Sequence, residues 1–176
     1  MRTLVSIVAI ILLALGTAGL VVYLTVTEKA DALSAAESPV VISEAMSGNK
    51  GVCLDDKGKS SDWVELYNPG DEAVSLKYFA LSDDEEDLEA WTFPDVSLES
   101  HGYMVVYLSG SSQKRGALHA SFKLKAEGEQ LVLSVAGIVM DSVNLPEMPD
   151  NVSYSRTEQG WMLTEDPTPG APNNIE

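Results

Sequence analysis

The sequence predicts an all-β fold, a small antiparallel β-sandwich, preceded by one N-terminal transmembrane helix. Three observations predict it. Leu4 to Val26 carries no charge; beyond Pro39 no long 3.6-residue periodicity appears; and two-residue alternation recurs there instead, broken by clusters of Gly, Pro, Asn and Asp.

The apolar run is about 23 residues long, a helix of roughly 34 Å, enough to cross a hydrocarbon core of about 30 Å. Arg2 precedes it and Glu28, Lys29 and Asp31 follow, so the positive-inside bias keeps the amino end in the cytoplasm and exports the rest. Ala30-Asp31-Ala32 also offers a small-x-small cleavage site, which makes a secreted domain freed from a signal peptide the alternative. Ala14 and Ala18 have the small-xxx-small spacing of helix contacts, a spacing common by chance in apolar helices. The chain therefore divides into an anchor over residues 1–27, a tether over 28–39, the β domain over 40–173 and a tail over 174–176.

About eight strands follow, near 40–46, 62–68, 73–81, 90–94, 102–108, 118–124, 129–135 and 138–143, at the spacing of a sandwich. Val64 and Leu66 alternate with Trp63, Glu65 and Tyr67, after which Asn68-Pro69-Gly70-Asp71 has the residues of a type II turn. Val74, Leu76, Tyr78 and Ala80 resume the alternation. Residues 103–108 are apolar on both faces, as in a central strand covered on each side. Leu118, Ala120, Phe122 and Leu124 share one face, with His119, Ser121, Lys123 and Lys125 on the polar one. Leu131, Leu133 and Val135 then run into Ala136-Gly137, a hairpin turn before Ile138.

Composition removes several function classes. With 11 basic against 27 acidic groups the net charge is −16 and the pI about 4.3, which repels phosphate backbones, so direct nucleic-acid binding is not expected. Hydrophobic content of 45% is too high for a disordered acidic chain. The single cysteine, Cys53, excludes an internal disulfide framework and a Cys-rich zinc site; it is read as a free thiol or an intermolecular link, too far from the apolar run for lipid attachment.

Specific residues now match a family. Val41-Ile42-Ser43-Glu44, residues 62–69 (Asp62 to Pro69), Leu76 through Asp83, Trp91-Thr92-Phe93-Pro94 with Gly102-Tyr103, Phe122-Lys123-Leu124 with Gly128-Glu129, and Ser153-Tyr154-Ser155-Arg156 running into residues 167–173 occur in that order. The set resembles the lamin tail domain family as found in bacterial exported proteins, over nearly all of residues 40–173. The resemblance implies an immunoglobulin-like sandwich, a binding and scaffolding role, and no catalytic residues to carry over. The heptad rod of nuclear lamins is missing here and the chain is strongly acidic, so chromatin binding does not transfer.

Residues 83–89 place six carboxylates within seven positions. Crowded carboxylates repel and a hard cation relieves them, which makes Asp83, Asp84 and Asp87 the calcium candidates; the spaced ligands and central Gly of an EF-hand are missing, and a solvated loop guarding a sheet edge accounts for the same run. Asp55 and Asp56 lie in another loop, and two loops at one sandwich end can share an ion, although nothing in the sequence joins them. Asp62 and Glu65 are candidate ligand-binding carboxylates, against the plainer reading that Glu65 and Asn68 bond backbone amides at a turn. Gly51 to Ser60 fails the phosphate-loop spacing, and Ser111-Ser112-Gln113-Lys114 lacks the partners of an S-x-x-K hydrolase. His101 and His119 are too few for zinc by themselves. Asn151-Val152-Ser153 fits a glycosylation acceptor, and Trp63, Trp91 and Trp161 read as core or edge packing.

The expectation is a membrane-anchored, non-catalytic module outside the cell that binds a protein or cell-envelope ligand through loops or a free sheet edge. The alternatives are an accessory subunit of an exported nuclease or kinase-like enzyme, and a metal-dependent hydrolase built on the acidic loops. Leu15→Arg is expected to weaken insertion by on the order of 3 kcal/mol; unchanged membrane fractionation of that variant overturns the anchor.

Overall fold

The computed structural model describes residues 39–112 and 116–173. The expected membrane helix, the tether up to residue 38 and the tail over 174–176 lie outside the described residues. Among the described residues, no helix is long and apolar enough to cross a membrane. They form twelve strands: β1 (Val41–Met46), β2 (Asp62–Tyr67), β3 (Val74–Ser75), β4 (Phe79–Ser82), β5 (Trp91–Thr92), β6 (Ser97–Leu98), β7 (Tyr103–Leu108), β8 (Leu118–Ala120), β9 (Gln130–Val135), β10 (Ile138–Asn144), β11 (Ser153–Thr157) and β12 (Gly160–Thr164).

The strands make two principal sheets, β12-β11-β1-β2-β7-β8 and β10-β9-β4-β5, with a small β3-β6 ribbon. Alternation places Ile42, Ala45, Val64, Leu66, Val106 and Leu108 of the large sheet in one core with Phe79, Leu81, Leu131, Leu133 and Val143 of the small one. Full burial of such side chains contributes about 1.5–3 kcal/mol each and holds the layers together. Ala136 and Gly137, at φ of 50° and 76°, form the two-residue turn expected between β9 and β10, where paired positive φ matches the strands' twist. Asp141 of β10 crosses the gap between sheets: its Oδ2 accepts from the Ile42 amide at 2.8 Å and from Arg156 Nη2 at 2.6 Å.

Several elements differ from the pattern read in the sequence. The expected strand over 73–81 is split by a turn at Lys77 and Tyr78, closed by the Phe79 amide donating to the Leu76 carbonyl at 2.9 Å. That turn shifts the phase, so Phe79 and Leu81 enter the core while Tyr78 is left exposed. The strand over 118–124 stops at Ala120, and it pairs parallel to β7, the one parallel pairing among the described residues. His119, placed on a polar face by alternation, is buried. β6, β11 and β12 are not among the strands that alternation predicts. β11 shows why: its outward positions are Ser153 and Ser155, polar yet buried, so the alternation does not read as apolar against polar.

The turn after β2 is also built differently. Gly70 is not at positive φ, which a type II turn requires at that position. The fully buried Asn68 side chain organises the loop instead: Nδ2 donates to the carbonyls of Glu72, Leu98 and Glu99 at 2.8, 3.1 and 3.0 Å, and Oδ1 accepts from the Gly70 amide at 2.9 Å. Asn68→Ala leaves those groups without partners and is expected to cost about 2–4 kcal/mol. Urea unfolding checks this; a loss under about 0.5 kcal/mol rejects the role.

Candidate functional site

The large sheet's outer face carries a row of buried polar groups. Glu44 and Glu65 are register partners across β1 and β2, and both are fully buried. A bulge between Ile42 and Glu44 adds Ser43 beside them. The segment 167–173 lies over this row as a strap. Its prolines at 167, 169 and 172 have no amide hydrogen, whereas Thr168 and Gly170, which lie between them, do. The Thr168 amide donates to Glu44 Oε2 at 3.1 Å, and the Gly170 amide donates to Glu65 Oε2. Gly170 sits at φ of 84°, a conformation other residues adopt only under strain. Ser153 and Ser155 hydroxyls donate to Glu44 Oε1 at 2.5 and 2.8 Å, and Ser43 to Glu65 Oε1 at 2.5 Å. Asn173 closes the strap by donating to the carbonyls of Ser43 and Arg156 at 2.9 and 3.0 Å.

Where the strap ends, a groove of about 430 Å³ opens, lined by Val41, Tyr67, Tyr103, Arg156, Glu158 and Asn173 among others. The rings of Tyr67 and Tyr103 stack with centroids 4.6 Å apart. Arg156 donates from Nε to the Ile42 carbonyl at 2.8 Å and covers the Trp161 ring at 4.9 Å. Thr157 and Glu158, which lead into the turn before β12, form part of the wall. β12 itself ends the large sheet, with Met162 and Leu163 exposed by 43% and 45%.

A second polar corner lies under residues 47–61. Trp63, Met46 and Tyr107 form a small apolar cluster there, joined by the half-buried Cys53. The Tyr107 hydroxyl donates to the Leu54 carbonyl at 2.7 Å and lies 3.2 Å from Cys53 Sγ; burial, then the thiol, push that phenol above its ordinary range. Asp55 Oδ1 accepts the amides of Lys57 and Lys59 at 2.9 and 2.8 Å, and the Lys59 bond first among the causes holds its carboxyl below the ordinary value against burial. Its Oδ2 faces His119 Nε2 at 3.6 Å.

The model of the lamin tail domain family matches residues 34–147, well over half of the chain. The chain belongs to that family. Its members are non-enzymatic immunoglobulin-like domains, in agreement with the observed sandwich. No curated protein matches the chain significantly. In this lamin tail domain the family match ends before β11, β12 and the strap, although β11 pairs directly with β1 and is built into the large sheet.

The residues singled out in the sequence separate on this frame. Asp62 holds two loops, accepting from the Gly48 amide at 2.9 Å and the Leu124 amide at 3.2 Å, with burial raising its carboxyl above the ordinary value. Glu65 and Asn68 bond backbone groups as the plainer reading expected. In the acidic loop between β4 and β5, Asp84 and Asp87 accept the amides of Glu86 and Glu89 at 2.8 and 3.4 Å. Asp83, Asp84 and Asp87 do not converge into a three-ligand set among the described residues; Asp55, Asp56 and His119 do. His101 lies elsewhere, 3.1 Å from Asp71 on the surface. Ser111 is exposed and Lys114 lies outside the described residues. Asn151 is exposed, but the Ser153 hydroxyl of its acceptor pattern is buried against Glu44. Trp63 and Trp91 are buried, and Trp161 packs on Tyr154 at the β12 edge. Sequence reading missed the strap's contacts; alternation of prolines with amide-bearing residues was the available signal.

Burial pushes the Glu65 carboxyl up from 4.5 to about 7, with the Ser43 and Gly170 bonds opposing and Glu44 reinforcing. The folded chain therefore binds a proton that the unfolded chain has released between those values. The resulting stability is intact below about pH 4.5, declines as pH rises, and is gone above about pH 7, by on the order of 3 kcal/mol. Glu65→Gln, whose amide can donate to Ser43 and accept from Gly170, is expected to remove that decline. Urea midpoints from pH 4 to 8 check it; an unchanged slope in the variant rejects the assignment.

Proposed function

We propose that this lamin tail domain is a membrane-anchored, extracytoplasmic, non-catalytic binding and scaffolding module for a protein or cell-envelope ligand. The apolar run over residues 4–26, with Arg2 before it and acidic residues after it, supports the anchor and its direction.

One observation carries the binding reading: the large sheet ends on a five-residue strand, β12, whose outer side pairs with no strand among the described residues and whose Met162 and Leu163 are exposed. Strands left in this way are templates for an added strand, with main-chain bonds supplying affinity and alternate side chains supplying selectivity. The hairpin turn before β12 also walls the Tyr67–Tyr103 groove, so an extended segment on the edge has an aromatic pocket beside the same hairpin. A photo-crosslinking residue at position 163 of the full-length chain is expected to trap a partner from its native envelope, and the same residue at position 86, in the acidic loop, is not. Equal trapping from both positions, or none from 163, rejects the reading.

A further inference from the structure

We propose that Asp55, Asp56 and His119 form a binding site for one divalent transition-metal ion, best matched by zinc, which fastens the 47–61 loop to edge strand β8. One potential ligand atom from each residue lies within 4.8 Å of the others. The carboxylates do not carry the inference by themselves; His119 does. Its side chain is 95% buried, being 5% exposed, and its Nε2 has no hydrogen-bond partner. A buried ring nitrogen without a partner forfeits a hydrogen bond that water would give it.

The surroundings aim that nitrogen at the carboxylates. Ser109 Oγ lies 2.9 Å from Nδ1, and the Tyr107 ring stacks on the imidazole at 5.3 Å, fixing its plane. With Nδ1–H donating to Ser109, the lone pair of Nε2 faces Asp55 Oδ2. This is the arrangement in which metal-binding histidines are held by a second partner. Asp55 is held likewise: its Oδ1 is occupied by the Lys57 and Lys59 amides, so Oδ2 is the atom turned to the ring. The 3.6 Å between Oδ2 and Nε2 exceeds a hydrogen bond. It is near the roughly 3.4 Å separating two tetrahedral ligands each about 2.1 Å from zinc. Asp56 is exposed, which gives an ion a route from solvent to the cluster, and one of its carboxylate oxygens lies within 4.8 Å of the other two ligand atoms.

The donor set selects the ion. Calcium and magnesium favour all-oxygen shells, whereas one imidazole with two carboxylates suits zinc, three protein ligands leaving a fourth position for water. The ordinary alternative is a direct imidazolium–carboxylate pair, which binds no metal.

The test uses the full-length chain in detergent micelles, stripped with a chelator, dialysed, and titrated calorimetrically with zinc chloride. One zinc per chain is expected, with a dissociation constant of micromolar or tighter. His119→Ala and Asp56→Asn are each expected to weaken it at least tenfold, and His101→Ala and the triple variant D83N/D84N/D87N to leave it unchanged. Zinc is expected to raise the melting temperature of the parent chain but not of His119→Ala. Asp56 is exposed, so Asp56→Asn tests the site even if the buried His119→Ala fails to fold. No saturable binding by about 100 μM zinc, binding unchanged in Asp56→Asn, or binding lost in His101→Ala overturns the site.

Discussion

Two carboxylates buried side by side on the outer face of the large sheet constrain much of this structure. Glu44 and Glu65 are fully buried and paired in register, so each must find donors, and the neighbouring Glu44 adds to the cost of charging Glu65. The donors come from distant parts of the chain: Ser43 in the β1 bulge, Ser153 and Ser155 on β11, Thr168 and Gly170 in the strap. Burial of Glu44 thus requires β11 beside β1, and burial of both requires the strap above. A buried polar network of this kind fixes register more sharply than an apolar face, because sliding the strap by one residue puts a proline where an amide must donate.

The same constraint explains why the sandwich extends beyond the stretch that matches the family model. That match stops at residue 147, within the irregular segment that follows β10. A fold ending there would leave β1 as an edge strand, with Glu44 lacking both serines and the Thr168 amide. The later strands close that edge and satisfy the carboxylate together. Asp141 adds a tie in the same region, accepting from the Ile42 amide and from Arg156 and so linking β10, β1 and β11.

Much of the fold was legible in the sequence because strand alternation, Pro and Gly clusters and the Ala136-Gly137 hairpin act locally. Where reading failed, a non-local partner had replaced a local rule. The Asn68 turn resembled a Pro-Gly turn until carbonyls about thirty residues away took up its amide. β11 was hidden because its buried outward side chains are serines, inside only because Glu44 accepts from them. His119 fell on the polar side of an alternating pattern, yet residues 47–61 cover that side and bury it. The corner joining His119 to Asp55 was illegible for the same reason: 64 residues of sequence separate two side chains that meet only when loop and strand are packed.

The treatment of sheet edges bears on what the module does. β5 and β8 are two and three residues long, too short to template another strand. β10 is longer, but its register shifts between Val139 and Asp141, and Asp141 is committed to the opposite sheet. β12 has neither device, while Met162 and Leu163 project from it. An edge so unguarded invites pairing between copies of the same chain, and the net charge of −16 opposes that at long range, with Glu158, Glu165 and Asp166 close to the strand. Repulsion between like copies does not act on a neutral or basic segment, which meets an apolar edge bordered by attractive charge. Under the proposed binding role, the edge is therefore better suited to a partner of different composition than to self-association, and the chain's acidity would favour a neutral or basic strand over a second copy.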